Sequence, residues 1–132
     1  MEYVEWNEEL SVDVVRFDKQ HRRWINNLNN LFKTIQRGAD NQEVSEYIKI
    51  FRRYTYYHLK DEEKVLADYN YPHVDEQRRE HENYRARIEE LEKNFKKDLA
   101  VKEDLIMLLK RWLLKHLKET DKKYSSFLPS NV

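Results

Sequence analysis

Between residues 18 and 119 the chain has only three places where a helix is expected to stop. These are Gly38, its sole glycine, then Asn70-Tyr71-Pro72, then the solvated run Lys96-Lys97-Asp98. Glycine readily takes the left-handed conformation that ends helices, and proline belongs near the start of the next one. The stretches between the stops repeat apolar residues with the i, i+3, i+4, i+7 spacing of amphipathic helices. The first stripe is His21, Trp24/Ile25, Leu28, Leu31/Phe32 and Ile35. The second is Val44, Tyr47/Ile48, Phe51, Thr55, His58, Glu62, Leu66 and Tyr69, and the third is Gln77, His81, Tyr84, Ile88, Leu91 and Phe95. The fourth is Leu105/Ile106, Leu108/Leu109, Trp112/Leu113 and His116/Leu117.

These stripes predict helices over about 18–37, 42–69, 73–97 and 102–119, with Asp18 and Asn41 as N-caps of the first two. Short connections between four such helices give an all-α, up-down-up-down antiparallel four-helix bundle. The whole chain, 1–132, reads as one domain. Residues 1–17, with Trp6, Leu10, Val12, Val14 and Val15 and no helical period, form an ordered N-terminal arm across the outside of the bundle. Residues 120–132 form a tail anchored by Asp121, Tyr124, Phe127 and Leu128.

Charge settles what the outer faces do. Charged residues make up 38% of the chain, balanced to a net charge of zero, so there is no global field for nucleic acid or anionic lipid. No cysteine is present, which removes disulfides and thiolate metal sites together. No apolar run approaches the roughly 20 residues that span a bilayer, and the N-terminus lacks the pattern of a signal peptide. A cytoplasmic monomer with no membrane or nucleic-acid partner is the expectation.

The anomaly lies on the inner faces. Each stripe carries an imidazole (His21, His58, His81, His116), and two carboxylates join them: Glu62, four residues after His58, and Asp121, five after His116. One histidine on an apolar face is ordinarily a satisfied core residue. Four of them with two carboxylates are not, because burying uncompensated ions costs several kcal/mol each. A cation removes the conflict, and imidazole with carboxylate suits iron, zinc or manganese. Two carboxylates and four imidazoles exceed one tetrahedral ion and suggest two ions sharing bridging carboxylates. Chain direction agrees, since starts of odd helices and ends of even helices meet at one end of an antiparallel bundle. His73, the fifth histidine, has no inward place.

The combination of Trp6, Asp18-Lys19-Gln20-His21, His58-Leu59-Lys60-Asp61-Glu62-Glu63, Tyr71-Pro72, His81 and the run Trp112 to Tyr124 resembles the hemerythrin family, in its single-domain bacterial form. The resemblance covers nearly the whole chain. It implies two iron ions with an oxo or hydroxo bridge and reversible dioxygen binding by a carrier, store or sensor, not an enzyme. His21 and His58 would hold one iron, His81 and His116 the other, and Glu62 and Asp121 would bridge them. Leu59, Trp112, Leu113 and Leu117 would wall the dioxygen pocket, where small anions such as azide also bind. One position departs from the pattern: the third helix has Gln77 where the family has a further histidine. Gln77 is expected to hold a water or leave an open coordination position, in preference to ligating weakly through its amide oxygen. An open position there would favour the alternative, a di-iron oxidase or peroxidase-like enzyme. Ferritin-like oxidases, however, use a Glu-x-x-His pattern that this chain lacks. A metal-free or zinc-loaded structural bundle is the third possibility.

Overall fold

In the computed structural model, residues 2–97 and 102–132 are described, and all regular structure among them is helical. Four long helices, α1 (Val15–Gln36), α2 (Asn41–Asp68), α3 (Val74–Lys97) and α4 (Lys102–Lys115), form the bundle. Helix α1 packs on α2 and α4, and α3 packs on the same two, so the four close into the expected antiparallel ring. The expected third connection begins two residues too early, because α3 runs through Lys97; Asp98 lies outside the described residues.

The first two helices end as their residues dictate. Gly38 has φ +75°, its amide bonds Ile35, and the Ala39 amide reaches back to Thr34, which satisfies the last carbonyls of α1. Asn70 repeats the device after α2 at φ +57°, with bonds from Asn70 to Ala67 and from Tyr71 to Leu66. Asparagine is the side chain that best tolerates this conformation after glycine.

The helix starts differ from expectation. Helix α1 begins at Val15, three residues early, and Asp18 is not its cap. Its carboxylate instead accepts the Ser11 hydroxyl at 2.6 Å and the Val12 amide at 2.9 Å, fastening the arm to the helix. The Val15 amide is satisfied from the far end of the chain, by the Ser130 carbonyl at 3.0 Å. Helix α2 is capped by Asp40, which accepts the Glu43 amide at 2.9 Å; Asn41 is the first helical residue. Both Asp40 and Asn41 are competent caps, and only the backbone geometry separates them.

The arm is ordered, as expected. Buried Asn29 meets the Val4 backbone with two 2.9 Å bonds, accepting from its amide and donating to its carbonyl. Tyr3 stacks on Phe32, and the Arg22 guanidinium lies 4.7 Å above half-buried Trp6. Tyr69, expected on the inward stripe, is exposed, as are Val15 of the arm and Phe127, expected to anchor the tail.

Among the described residues, buried apolar side chains form two separate clusters. The larger fills the length of the bundle around Trp24, Leu28, Phe51, Tyr84, Leu109 and Leu113. The smaller closes one end and joins arm, α1, α2 and tail through Val12, Val14, Phe17, Leu66, Tyr71, Tyr124 and Leu128. A polar layer separates them. No helix among the described residues is long and apolar enough to cross a membrane.

Candidate metal centre

That layer contains all six sequence-predicted ligands. His21, His58, Glu62, His81 and Asp121 are wholly buried and His116 nearly so. His58 and Glu62 meet through the ordinary i, i+4 geometry of α2, with Nε2 3.4 Å from Oε2. His116 and Asp121 are five apart, and the helix changes to suit them. After Lys115 the chain enters a π turn, His116–Thr120, in which the Asp121 amide bonds the His116 carbonyl. The wider turn brings residues five apart onto one face, and π turns concentrate at functional sites for this reason. A 3-10 turn, Asp121–Tyr124, follows.

The carboxylates divide their oxygens between two pairs of imidazoles. Asp121 Oδ2 lies 3.2 Å and Glu62 Oε2 3.7 Å from His21 Nε2, and Glu62 Oε2 is also the oxygen facing His58. On the other side, Glu62 Oε1 is 3.0 Å from His81 Nε2, and Asp121 Oδ1 is 2.9 Å from His116 Nε2. Two sets of four result: His21, His58, Glu62, Asp121 and Glu62, His81, His116, Asp121. Within each set the ligand atoms lie within 4.8 Å of one another.

Several of these atoms are close without being bonded. Among the described residues, His21 Nδ1, His81 Nε2, both ring nitrogens of His116, and Asp121 Oδ2 are buried with no aligned hydrogen-bond partner. Such groups are rare in a folded interior. A cation within each set would satisfy the orphaned nitrogens and oxygen that face it, and the nitrogen and carboxylate donors fit iron, zinc or manganese.

Electrostatics carries the same signature. Burial alone would push the His116 imidazole down, yet the facing Asp121 and Glu62 carboxylates raise it to about 10. His21 and His81 go up against the same desolvation, held by Asp121 and Glu62 and by Glu62 and Glu63 respectively. His58 goes down, because for it desolvation wins. Burial would raise the Glu62 carboxyl, but the surrounding imidazoles hold it well below the usual carboxylate range. The centre draws positive charge.

Three supporting side chains were not legible as such in the sequence. Gln20 Oε1 accepts from His58 Nδ1 at 2.6 Å, which fixes the tautomer and leaves Nε2 as an acceptor facing the centre, 3.1 Å from His21 Nε2. The Gln20 amide then donates to Asp61 at 2.7 Å, and Arg16 clamps Asp61 from outside. Glu63 accepts from His81 Nδ1 at 2.9 Å and is held by Arg85 at 2.8 Å. Tyr124 donates to Glu62 Oε2 at 2.7 Å. Such partners orient metal-ligating groups and raise their basicity.

Gln77 turns the nitrogen of its amide toward the centre. Buried on α3 one turn before His81, it donates its amide nitrogen to both shared carboxylates, at 3.0 Å to Glu62 Oε1 and 2.8 Å to Asp121 Oδ1. Carboxylates only accept, so the donating end of the amide must face them. His73 is exposed and remote, as expected.

Of the expected pocket wall, Leu59, Leu113 and Leu117 are fully buried. Trp112 is half-buried and stacks on His116 with ring centroids 4.6 Å apart. It borders a cavity of about 180 Å³ on the α3–α4 seam, with Glu80, Asn83, Lys115, His116 and Thr120 as the other walls. None of the three leucines lines that cavity.

A four-helix bundle whose helices converge on a buried, histidine-rich pair of ligand sets defines a metal-binding bundle protein. Residues 12–128 match the hemerythrin HHE cation binding domain, and the chain belongs to the hemerythrin family. It is 29% identical to a bacteriohemerythrin of Stenotrophomonas maltophilia, over all of this chain and 86% of that one. It is also 29% identical to a myohemerythrin of Theromyzon tessulatum, over 96% and 95% of the two chains. A crystal structure of wild-type hemerythrin superposes with a TM-score of 0.87 at 25% identity, covering 94% of this chain and 96% of that one.

Proposed function

We propose that the chain is a non-haem di-iron protein that binds dioxygen reversibly, as a carrier, store or sensor. One iron would be held by His21, His58, Glu62 and Asp121, the other by His81, His116 and the same two carboxylates. The observation that carries the reading is the division of oxygens, each carboxylate turning one toward each imidazole pair. Family membership supports iron over the other cations this donor set would accept.

Held there, two ferrous ions would supply the electrons for reversible dioxygen binding. The protein's part is to keep that exchange reversible. Gln20 and Glu63 lock His58 and His81 with Nε2 inward. Tyr124 holds Glu62 in place by its hydroxyl. Leu59, Leu113 and Leu117 exclude water, and Trp112, stacked on His116, stands where a small ligand would arrive from the α3–α4 seam. A dry, preorganised enclosure disfavours side reactions with solvent.

Anaerobic reconstitution with ferrous iron, a metal count and a visible spectrum under alternating air and argon test this. Two irons per chain and an absorption band that appears in air and vanishes under argon are expected. Fewer than two irons overturns the dinuclear centre, and irreversible oxidation on first contact with air overturns reversible binding.

A further inference from the structure

Gln77 sits one helical turn from His81, on the face of α3 that meets the centre, and it is almost fully buried. Both hydrogen bonds of its amide nitrogen go to the shared carboxylates, one to each. Turning the amide over would place its carbonyl against two carboxylate oxygens and forfeit two charge-assisted bonds. A neutral amide oxygen would be a weaker donor to a transition metal than the imidazoles around it. Meanwhile the two ligand sets are alike in composition: two imidazoles each, plus one oxygen from each of the same two carboxylates.

We infer that Gln77 is a positioning residue that anchors the two bridging carboxylates and does not bind metal, so the centre is symmetric in its protein ligands. Each ion then keeps an open coordination position, and each can take a small anion or other small exogenous ligand. The inference rests on the dinuclear reading proposed above.

The test uses protein loaded with Mössbauer-active iron and oxidised to the diferric state, as wild type, Gln77→Leu and Gln77→His. Wild type is expected to hold two irons and to give a single quadrupole doublet. Gln77→Leu removes the donor without adding a ligand and is expected to keep the single doublet. Gln77→His adds one imidazole on one side and is expected to split the signal into two doublets of equal area, with azide uptake per chain falling twofold from wild type. Two doublets in the wild type, whether or not they merge in Gln77→Leu, overturn the inference while leaving the dinuclear centre standing. Equal azide uptake by wild type and Gln77→His refutes the second open position. A wild-type metal count below two removes both readings. Should Gln77→His fail to fold, wild type and Gln77→Leu decide the matter.

Discussion

At the scale of single residues, what distinguishes this interior is how its histidines are held from behind. His58 and His81 each have an acceptor on Nδ1, whereas His21 Nδ1 and His116 Nδ1 have none. The Gln20→Leu substitution removes the acceptor on His58 and leaves Asp61 to Arg16. It is expected to lower metal affinity by roughly 10–100-fold, the range for losing an orienting partner. Competition against a chromophoric chelator measures it, and an unchanged affinity would mean that Gln20 orients nothing. The same comparison explains what was legible. The six candidate ligands were legible because five of them interrupt an apolar stripe with a titratable group and Asp121 follows the fourth histidine by five residues. Gln20, Glu63 and Tyr124 meet their partners across sequence separations of 38, 18 and 62 residues, and no local pattern records such a meeting. Gln77 was legible as a position but not as a role, because its choice between donor and ligand depends on what faces it.

At the scale of elements, periodicity placed the four helices and chain chemistry placed their ends, with unequal success. Gly38 and Asn70 were unambiguous because the left-handed conformation admits few residues. The N-caps were not, since Asp18 had a stronger claim from the arm and Asp40 stood beside an equally competent Asn41. A Cβ at position 38 would meet nothing within 4 Å, so the penalty of Gly38→Ala is purely one of backbone conformation. The expected loss is about 1–2 kcal/mol, read as a lower urea midpoint with metal content unchanged. A loss of metal as well would show that the α1 end and the centre are coupled. The π turn is the element that no period foretold. Its only trace in the sequence is the five-residue spacing of His116 and Asp121, which an α-helix would have carried off the shared face.

For the molecule as a whole, a charged layer lies between two apolar clusters, and its protons compete with any cation. In the metal-free protein His116 is raised from 6.5 to about 10, so the stability it contributes is complete below the unfolded value and is lost as pH rises through the folded one. Glu62 and Asp121 are lowered, so theirs is present above the ordinary carboxylate range and is lost as pH falls. Metal-free stability is therefore expected to peak between those ranges and to decline toward pH 10. Metal affinity should move the opposite way and rise with pH over the same interval, because a cation must displace the imidazole protons. Melting temperatures of the metal-free protein and metal titrations across pH 6 to 9 check the two slopes, and parallel slopes would contradict the account.

The bond from the Val15 amide to the Ser130 carbonyl makes the two ends of the chain a single latch. Val14 and Phe17 on one side of it, and Leu128 on the other, pack around Tyr124, whose hydroxyl reaches Glu62. Opening the latch thus disturbs the floor of the centre, and whatever is held there resists the opening. By linkage, a ligand at a hundredfold excess over its dissociation constant adds about 2.7 kcal/mol to that cost. Deuterium exchange at one backbone amide, that of Val15, then becomes a gauge of how full the protein is.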